Sequence, residues 1–166
     1  MSEPKHLQES VRVITTHSAE ETIEAGRHLA KYLDPPKVLL LRGDLGAGKT
    51  TLVKGIAAAL GAAEPDEVTS PTFTLVHEYA GRSVEHAKLG ESILLYHLDL
   101  YRVENQRQLD TLGMEELMTP QSILLIEWGE KFPSVTSRAH GEIAIETLHG
   151  DERRITLILH PPKNPA

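Results

Sequence analysis

The sequence of 166 residues has no cysteine, only 4% aromatic residues and no long apolar run. Without cysteine, the chain forms neither disulfide bonds nor thiolate metal sites. The opening residues, 1–10, are polar and lack the apolar core of a secretory signal peptide. No apolar run approaches the roughly 20 residues that a membrane helix needs. We therefore expect a cytoplasmic protein without a membrane segment.

Basic residues are fewer than acidic ones, with 17 lysines and arginines against 24 aspartates and glutamates. With a formal net charge of −7, the chain is a poor candidate to bind nucleic acid without a partner protein. Its hydrophobic content of 40% is that of an ordinary globular domain. We expect one domain over residues 1–166, with frayed tails at 1–9 and 161–166.

A glycine-rich segment lies between an apolar run and a helical pattern. Residues 43–50 match the P-loop spacing G-x-x-x-x-G-K-[ST], which binds phosphate groups. Before them, Val38 to Leu41 are typical of a buried parallel strand, and after them apolar residues recur at helical spacing up to Leu60. The order of strand, loop and helix favours a true site for phosphate groups and Mg²⁺ over a simple glycine turn.

Each residue of this loop has a predicted role. We expect Gly43, Gly46 and Gly48 to adopt positive φ angles, so that backbone N–H groups surround an anion. Lys49 provides charge for the β- and γ-phosphates, and the Thr50 hydroxyl ligates Mg²⁺. The predicted nucleotide-binding residues are Leu45, Gly46, Ala47, Gly48, Lys49, Thr50, Thr51 and Trp128.

Two acidic residues follow apolar strands at the positions where α/β sheets bind ligands. Asp99 comes after 93–98, and Glu127 comes after the more uniformly apolar 122–126. We assign Glu127 to magnesium, directly or through water, and Asp99 to orienting or deprotonating the attacking water. The exchange of these two roles stays open. The predicted catalytic residues are Lys49, Asp99 and Glu127, and the predicted metal ligands are Thr50 and Glu127.

Other residues near these motifs have weaker claims. The segment 70–72 either senses the γ-phosphate through its threonine or is an ordinary proline turn. Trp128 either covers the nucleotide, meets a partner or packs in the core. His97, which shares a strand face with Asp99, is interpreted as an orienting or structural residue rather than as a metal ligand. Among basic residues, the weak candidates are Lys54 and Arg102 for phosphate and Arg153 for adenine.

The remaining pattern predicts an α/β fold, with a mixed, mostly parallel central sheet flanked by helices and an antiparallel hairpin. A helix begins after Ser18, and two short helices in 104–119 are separated near Gly113. A polar loop is expected over 80–92. The predicted strands lie near 11–15, 38–41, 73–79, 93–98, 122–126, 142–147 and 154–160.

Four sequence blocks together resemble the TsaE family of small bacterial P-loop ATPases, which are needed to make threonylcarbamoyladenosine in tRNA. The blocks are Gly43–Thr51, Ser70–Val76, Tyr96–Arg102 and Ile126–Trp128. They occur in the family's order and cover about residues 10–160. In that family the functional positions correspond to Lys49, Thr50, Thr51, Asp99, Glu127 and Trp128.

The resemblance implies a P-loop NTPase fold, ATP and Mg²⁺ as ligands, and the proteins TsaB and TsaD as partners. It implies slow ATP hydrolysis that the partners stimulate. The hydrolysis supports threonylcarbamoyl transfer to adenosine at position 37 of tRNAs that read codons beginning with adenine. The tRNA is then contacted only indirectly, through the complex.

Three other functions remain to be weighed. A small-molecule kinase needs an arginine-bearing lid and an acceptor site, but the region 104–119 offers only Arg107. A GTPase would carry the base-reading motif N-K-x-D, which the sequence lacks. The third alternative is an interaction module that keeps the loop without hydrolysing nucleotide.

Overall fold

The computed structural model describes residues 9–81 and 92–161. Within these residues the chain forms seven strands and five α-helices. The strands are β1 (Ser10–Thr16), β2 (Lys37–Arg42), β3 (Val76–Gly81), β4 (Ile93–Asp99), β5 (Ser122–Glu127), β6 (Gly141–His149) and β7 (Glu152–Leu159). The α-helices are α1 (Ala19–Leu29), α2 (Lys49–Ala59), α3 (Gln106–Thr111), α4 (Met114–Leu117) and α5 (Pro133–Thr136). Short 3₁₀ turns cover Ala30–Tyr32, Pro65–Glu67 and Gly129–Lys131.

The strands form one sheet in the order β1-β7-β6-β2-β5-β4-β3. The four central strands, β6, β2, β5 and β4, run parallel to one another. At one edge β3 pairs antiparallel with β4, and at the other edge β7 and β1 add antiparallel pairs. The predicted α/β fold, with a mostly parallel centre and an antiparallel hairpin, is confirmed.

Alternation along the central strands creates a core on each face of the sheet. Leu39 and Leu41 belong to the core that includes α1 and α2, whereas Val38 and Leu40 belong to the core that includes α3, α4 and α5. Since successive side chains of a strand point to opposite faces, β2, β4 and β5 each have one set of residues for each core. This explains why these three strands read as continuous apolar runs.

The same alternation decides where the side chains at the strand ends point. In β4, Leu95 packs in the core below α2, so His97 and Asp99 share that face. In β5, Leu125 packs in the same core, and Glu127 follows two residues later. Both acids and the histidine therefore face the helix that follows the P-loop.

The prediction that a strand begins at Phe73 is wrong, because β3 begins only at Val76. Leu75 has a φ of 69°, and its N–H donates to the Pro71 carbonyl at 2.7 Å. Residues 72–74 therefore form a turn, and the left-handed Leu75 redirects the chain into the strand. Phe73, one of the alternating residues that suggest a strand, is 80% exposed in this turn.

Ala80 and Gly81, expected in a polar loop, belong to β3. Residues 82–91 of that loop lie outside the described residues, as do positions 1–8 and 162–166 of the predicted tails. Elsewhere the predicted elements are confirmed: Ser18 caps α1 by accepting the N–H of Glu21, and Gly113, with a φ of 69°, separates α3 from α4. In the part of the chain that the structure describes, no helix has the length and apolarity required to cross a bilayer.

Helices α1 and α2 cross with their backbones in close contact. A Cβ added at Gly55 would lie 1.9 Å from the Ile23 carbonyl oxygen, and one added at Gly26 would lie 2.3 Å from the Leu52 carbonyl oxygen. Only glycine fits at these two positions, so α1 fixes the position of the helix that carries the P-loop.

We predict that Gly55→Ala lowers the free energy of unfolding by about 2 kcal/mol, since overpacking outweighs the helix propensity that alanine adds. Urea unfolding measures the change. The matched control is Ala58→Ser, which also adds one heavy atom to α2 but at a half-buried position, and which should change stability by no more than about 0.5 kcal/mol. A Gly55→Ala protein as stable as the wild type would contradict the close crossing.

Candidate functional site

A cleft of about 680 Å³ lies where β2, β4 and β5 end. Its lining residues are Leu45, Gly46, Gly48, Lys49, Thr50, Thr51, Ser70, Thr72, Asp99, Tyr101, Glu127 and Trp128. This volume is within the range of small-molecule sites, about 300–1,000 Å³. The structure therefore brings both predicted acids to the P-loop. Of the predicted nucleotide-binding residues, only Ala47 does not line the cleft, because its side chain is buried in the core.

Two of the three loop glycines have the predicted backbone conformation. Gly46 has a φ of 80° and Gly48 a φ of 109°, both of which strain any residue with a Cβ. The prediction of a positive φ at Gly43 is wrong. Gly43 is required for a different reason, because a Cβ there would lie 2.7 Å from the Ile145 carbonyl oxygen of β6.

The P-loop ends directly at the first turn of α2, where Gly48 is the N-cap and Lys49, Thr50 and Thr51 follow. The first N–H groups of a helix have no partner inside the helix, and they carry the positive end of its dipole. All three of these side chains line the cleft. The cleft therefore has the backbone arrangement that binds anions at helix N-termini.

An ion pair between Lys49 and Glu127 connects the loop to the end of β5. The Lys49 Nζ is 3.2 Å from Glu127 Oε1 and also donates to the Gly43 carbonyl. The side chains of Lys49 and Glu127 are only 11% and 7% exposed. The other carboxylate oxygen of Glu127, Oε2, is 2.7 Å from His97 Nε2.

These contacts determine the charge of Glu127. Burial alone would raise the pKa of Glu127, but the hydrogen bond and charge interaction with His97 and those with Lys49 outweigh burial and lower this pKa from 4.5. Glu127 is therefore ionised at neutral pH and balances the charge of Lys49. It presents an anionic ligand to the cleft.

Asp99 lies beside Glu127 in the register of β4 and β5. Its Oδ1 accepts the N–H of Tyr101 at 3.0 Å, and its Oδ2 accepts the hydroxyl of Thr72 at 3.3 Å. Thr72 also shares a hydrogen bond of 2.7 Å with Ser70. The segment 70–72 thus lines the cleft and contacts the second acid directly.

Trp128 lies at the cleft and not in the core. It has a φ of 61° and is 37% exposed, and its ring centroid is 5.1 Å from that of Tyr101. Sequence reasoning assigned no role to Tyr101, although it lies two residues after Asp99 in one of the matching blocks. It also missed Lys131, whose Nζ donates to the carbonyls of Leu100 and Tyr101 at 3.0 and 2.9 Å. Lys131 therefore connects the turns that follow the two acids.

The weaker basic candidates are occupied elsewhere. Lys54 Nζ donates to the carbonyls of Pro65 and Val68 at 2.9 and 3.1 Å, so it fixes a loop and does not reach the cleft. The guanidinium of Arg102 lies 4.5 Å from the ring centroid of Phe73. Arg153 Nε donates to the Ala47 carbonyl at 2.9 Å. Arg153 also borders a cavity of about 140 Å³ that shares three P-loop residues, Gly46, Gly48 and Thr51, with the cleft.

Comparisons with known proteins identify the family of the chain. The family model of the threonylcarbamoyl adenosine biosynthesis protein TsaE matches residues 16–155. A Treponema pallidum protein named "tRNA threonylcarbamoyladenosine biosynthesis protein TsaE" is 35% identical over 86% of this chain and 96% of its own length. Proteins of the same name from Bacillus subtilis and Nostoc are 37% and 42% identical, over 85% and 80% of this chain and 81% and 75% of their own lengths. The crystal structure of Bacillus subtilis YdiB matches with a TM-score of 0.64 and 31% identity, over 92% of this chain and 87% of that one.

The lowered pKa of Glu127 makes stability depend on pH in a defined window. We predict that the free energy of unfolding of the wild type, relative to Glu127→Gln, is constant well above pH 4.5 and falls as the pH drops below 4.5. The Glu127 carboxylate binds a proton less tightly in the folded protein than in the unfolded chain, so acid favours unfolding. Glutamine at this position binds no proton, so Glu127→Gln lacks this dependence on pH. Urea unfolding from pH 3 to pH 7 measures this, with Glu20→Gln on exposed α1 surface as the control for net charge. Parallel curves for the wild type and Glu127→Gln would contradict it.

Proposed function

Since the chain belongs to the TsaE family of threonylcarbamoyladenosine biosynthesis proteins, we propose that it binds and hydrolyses ATP in support of this tRNA modification. The observation that supports the proposal best is the buried ion pair of Lys49 and Glu127, 3.2 Å apart in a cleft at the N-terminus of α2. The cleft combines a lysine ammonium, an ionised acid and the first N–H groups of a helix in one place. Nucleoside triphosphate chemistry needs these three components.

Binding of the triphosphate begins with the P-loop. Gly46 and Gly48 allow the backbone to curve around an anion, and the first turn of α2 directs its N–H groups at it. Lys49 is held by Glu127 and by a backbone carbonyl, so it is already positioned at the mouth of the loop. We propose that it exchanges these partners for phosphate oxygens when ATP enters.

Magnesium would be held by Thr50 and Glu127. Hydroxyl and carboxylate oxygens are ligands that Mg²⁺ prefers, and Glu127 is ionised because its pKa is lowered. Among the described residues no group of three or more histidine or acidic side chains is arranged to hold a metal. The site therefore fits an ion that arrives with the phosphates, where it would neutralise their charge.

Hydrolysis requires a water positioned in line with the γ-phosphorus. In our proposal Asp99 orients this water and accepts its proton while the water oxygen bonds to phosphorus and the bond to the β–γ bridging oxygen breaks, which releases ADP and phosphate. The N–H of Tyr101 donates to Oδ1 of Asp99, so Oδ2 is the oxygen proposed to bind the water. The Thr72 hydroxyl, which donates to Oδ2, then either shares this oxygen with the water or releases it.

The partners follow from the family. We propose that TsaB and TsaD form the complex whose turnover the ATP cycle supports, and that this takes place in the cytoplasm. The formal charge of −7 opposes direct binding of a polyanion. Contact with tRNA is therefore proposed to occur only through the complex.

Lys49→Ala tests the nucleotide site. We predict a loss of ATP affinity of about 10- to 100-fold, as expected for a charge-assisted hydrogen bond worth roughly 1.5–3 kcal/mol. The single tryptophan, Trp128, lines the cleft, so its fluorescence reports binding. The control is Lys31→Ala, an exposed lysine outside the cleft. Unchanged ATP affinity in Lys49→Ala would remove the P-loop from the mechanism.

ATP hydrolysis with and without the partners tests the function itself. We predict slow turnover by the isolated chain and faster turnover after TsaB and TsaD are added. Glu127→Ala should reduce Mg²⁺-dependent turnover more than it reduces ATP binding, because the carboxylate acts on the cation and not on the loop. Binding without turnover, even with both partners, would support a non-hydrolysing interaction module, and equal losses of binding and turnover in Glu127→Ala would contradict its metal role.

A further inference from the structure

Among the described residues, the side chain of His97 makes a single hydrogen bond, from a fully buried position. The residue is 0% exposed, and its Nε2 lies 2.7 Å from Glu127 Oε2. Its other ring nitrogen, Nδ1, has no hydrogen-bond partner among the described residues. Buried polar atoms are normally paired, so an unpaired nitrogen at this position costs stability. A ring retained at such a cost suggests that its one bond, to Glu127, is needed.

The direction of that bond follows from the charge of its partner. An ionised carboxylate only accepts hydrogen bonds, so the proton lies on His97 Nε2, which donates to Glu127. Lys49 engages the opposite oxygen, Oε1. The two carboxylate oxygens are therefore held independently, one by a lysine on the P-loop helix and the other by a histidine on the neighbouring strand.

Lys49 and His97 differ in whether they can remain bonded to Glu127 when a nucleotide binds. Lys49 is the first residue of α2, and in the proposed function it leaves Glu127 to reach the phosphates of a nucleotide. His97 lies within β4, where the pairing of β4 with β5 fixes its position relative to Glu127. With its side chain only 7% exposed, Glu127 would otherwise be a buried anion without a partner until a cation reaches it, which is strongly unfavourable.

We propose that His97 is a positioning residue that keeps the Glu127 carboxylate hydrogen-bonded and directed into the cleft when Lys49 moves to the nucleotide. The proposal rests on the proposed function, because it requires a ligand that attracts Lys49. The alternative is that His97 only fills space in the core. The two explanations differ in one respect, namely whether the effect of changing His97 depends on Lys49.

A double-mutant cycle tests this without any nucleotide. Lys49→Met removes the ammonium permanently, and His97→Leu removes the donor while it keeps an apolar side chain of similar size. We expect the double variant to raise the unfolding equilibrium constant at pH 7 about tenfold beyond the product of the two single effects, because only the double variant leaves Glu127 without a partner. Multiplicative single effects would show that His97 only packs, and would overturn the proposal.

The conservative variant His97→Gln provides the matched control. Its amide retains an N–H donor, so in the Lys49→Met background it should recover most of the excess loss seen with His97→Leu. The excess should also disappear in a Glu127→Gln background, where no buried charge needs a partner. An excess that persists with Glu127→Gln would show that His97 acts on something other than the carboxylate, which also contradicts the proposal.

A second measurement uses ADP in the absence of metal, read by Trp128 fluorescence. We expect His97→Leu to weaken ADP binding about tenfold, because Glu127 then has no hydrogen-bond donor once Lys49 moves to the nucleotide. His97→Gln should weaken ADP binding less, since its amide still donates to Glu127. If the wild type binds no nucleotide, the proposed function fails while the unfolding cycle still decides the role of His97. If the wild type binds ADP and His97→Leu binds it equally well, the positioning role is wrong and the proposed function stands.

Discussion

The ion pair of Lys49 and Glu127 is the interaction on which the rest of the site depends. It joins the P-loop helix to the strand beside it, with both side chains almost excluded from solvent. Removing Glu127 would leave the Lys49 ammonium as an uncompensated buried charge, which is far more costly than losing an exposed pair. The two charges of the pair therefore balance each other, and a ligand must supply negative charge to draw the lysine away.

The fold brings these groups together through simple geometry. Parallel pairing of β2, β5 and β4 places the ends of the three strands at one edge of the sheet. The alternation of side chains directs His97, Asp99 and Glu127 to the face covered by α2. The contact of α1 with α2 at Gly26 and Gly55 then fixes the P-loop helix above them. Stability and site geometry thus come from the same packing.

Much of this could be predicted from the sequence, because the P-loop and the strand-end acids are local patterns. The bond from His97 to Glu127 could not, since it depends on the register of two strands 30 residues apart. The local pattern predicts a positive φ at Gly43, but this glycine is required because β6 approaches it closely. A contact with a distant strand is not visible in a local pattern. Likewise, the left-handed Leu75 is a backbone choice that its residue type disfavours.

A crystal structure with a non-hydrolysable ATP analogue and Mg²⁺ is the most direct measurement of the central claim, the exchange of partners by Lys49. The account predicts the Lys49 ammonium about 3 Å from a β- or γ-phosphate oxygen, with Glu127 turned to the cation and still bonded to His97. A triphosphate bound elsewhere, with Lys49 still paired to Glu127, would contradict it.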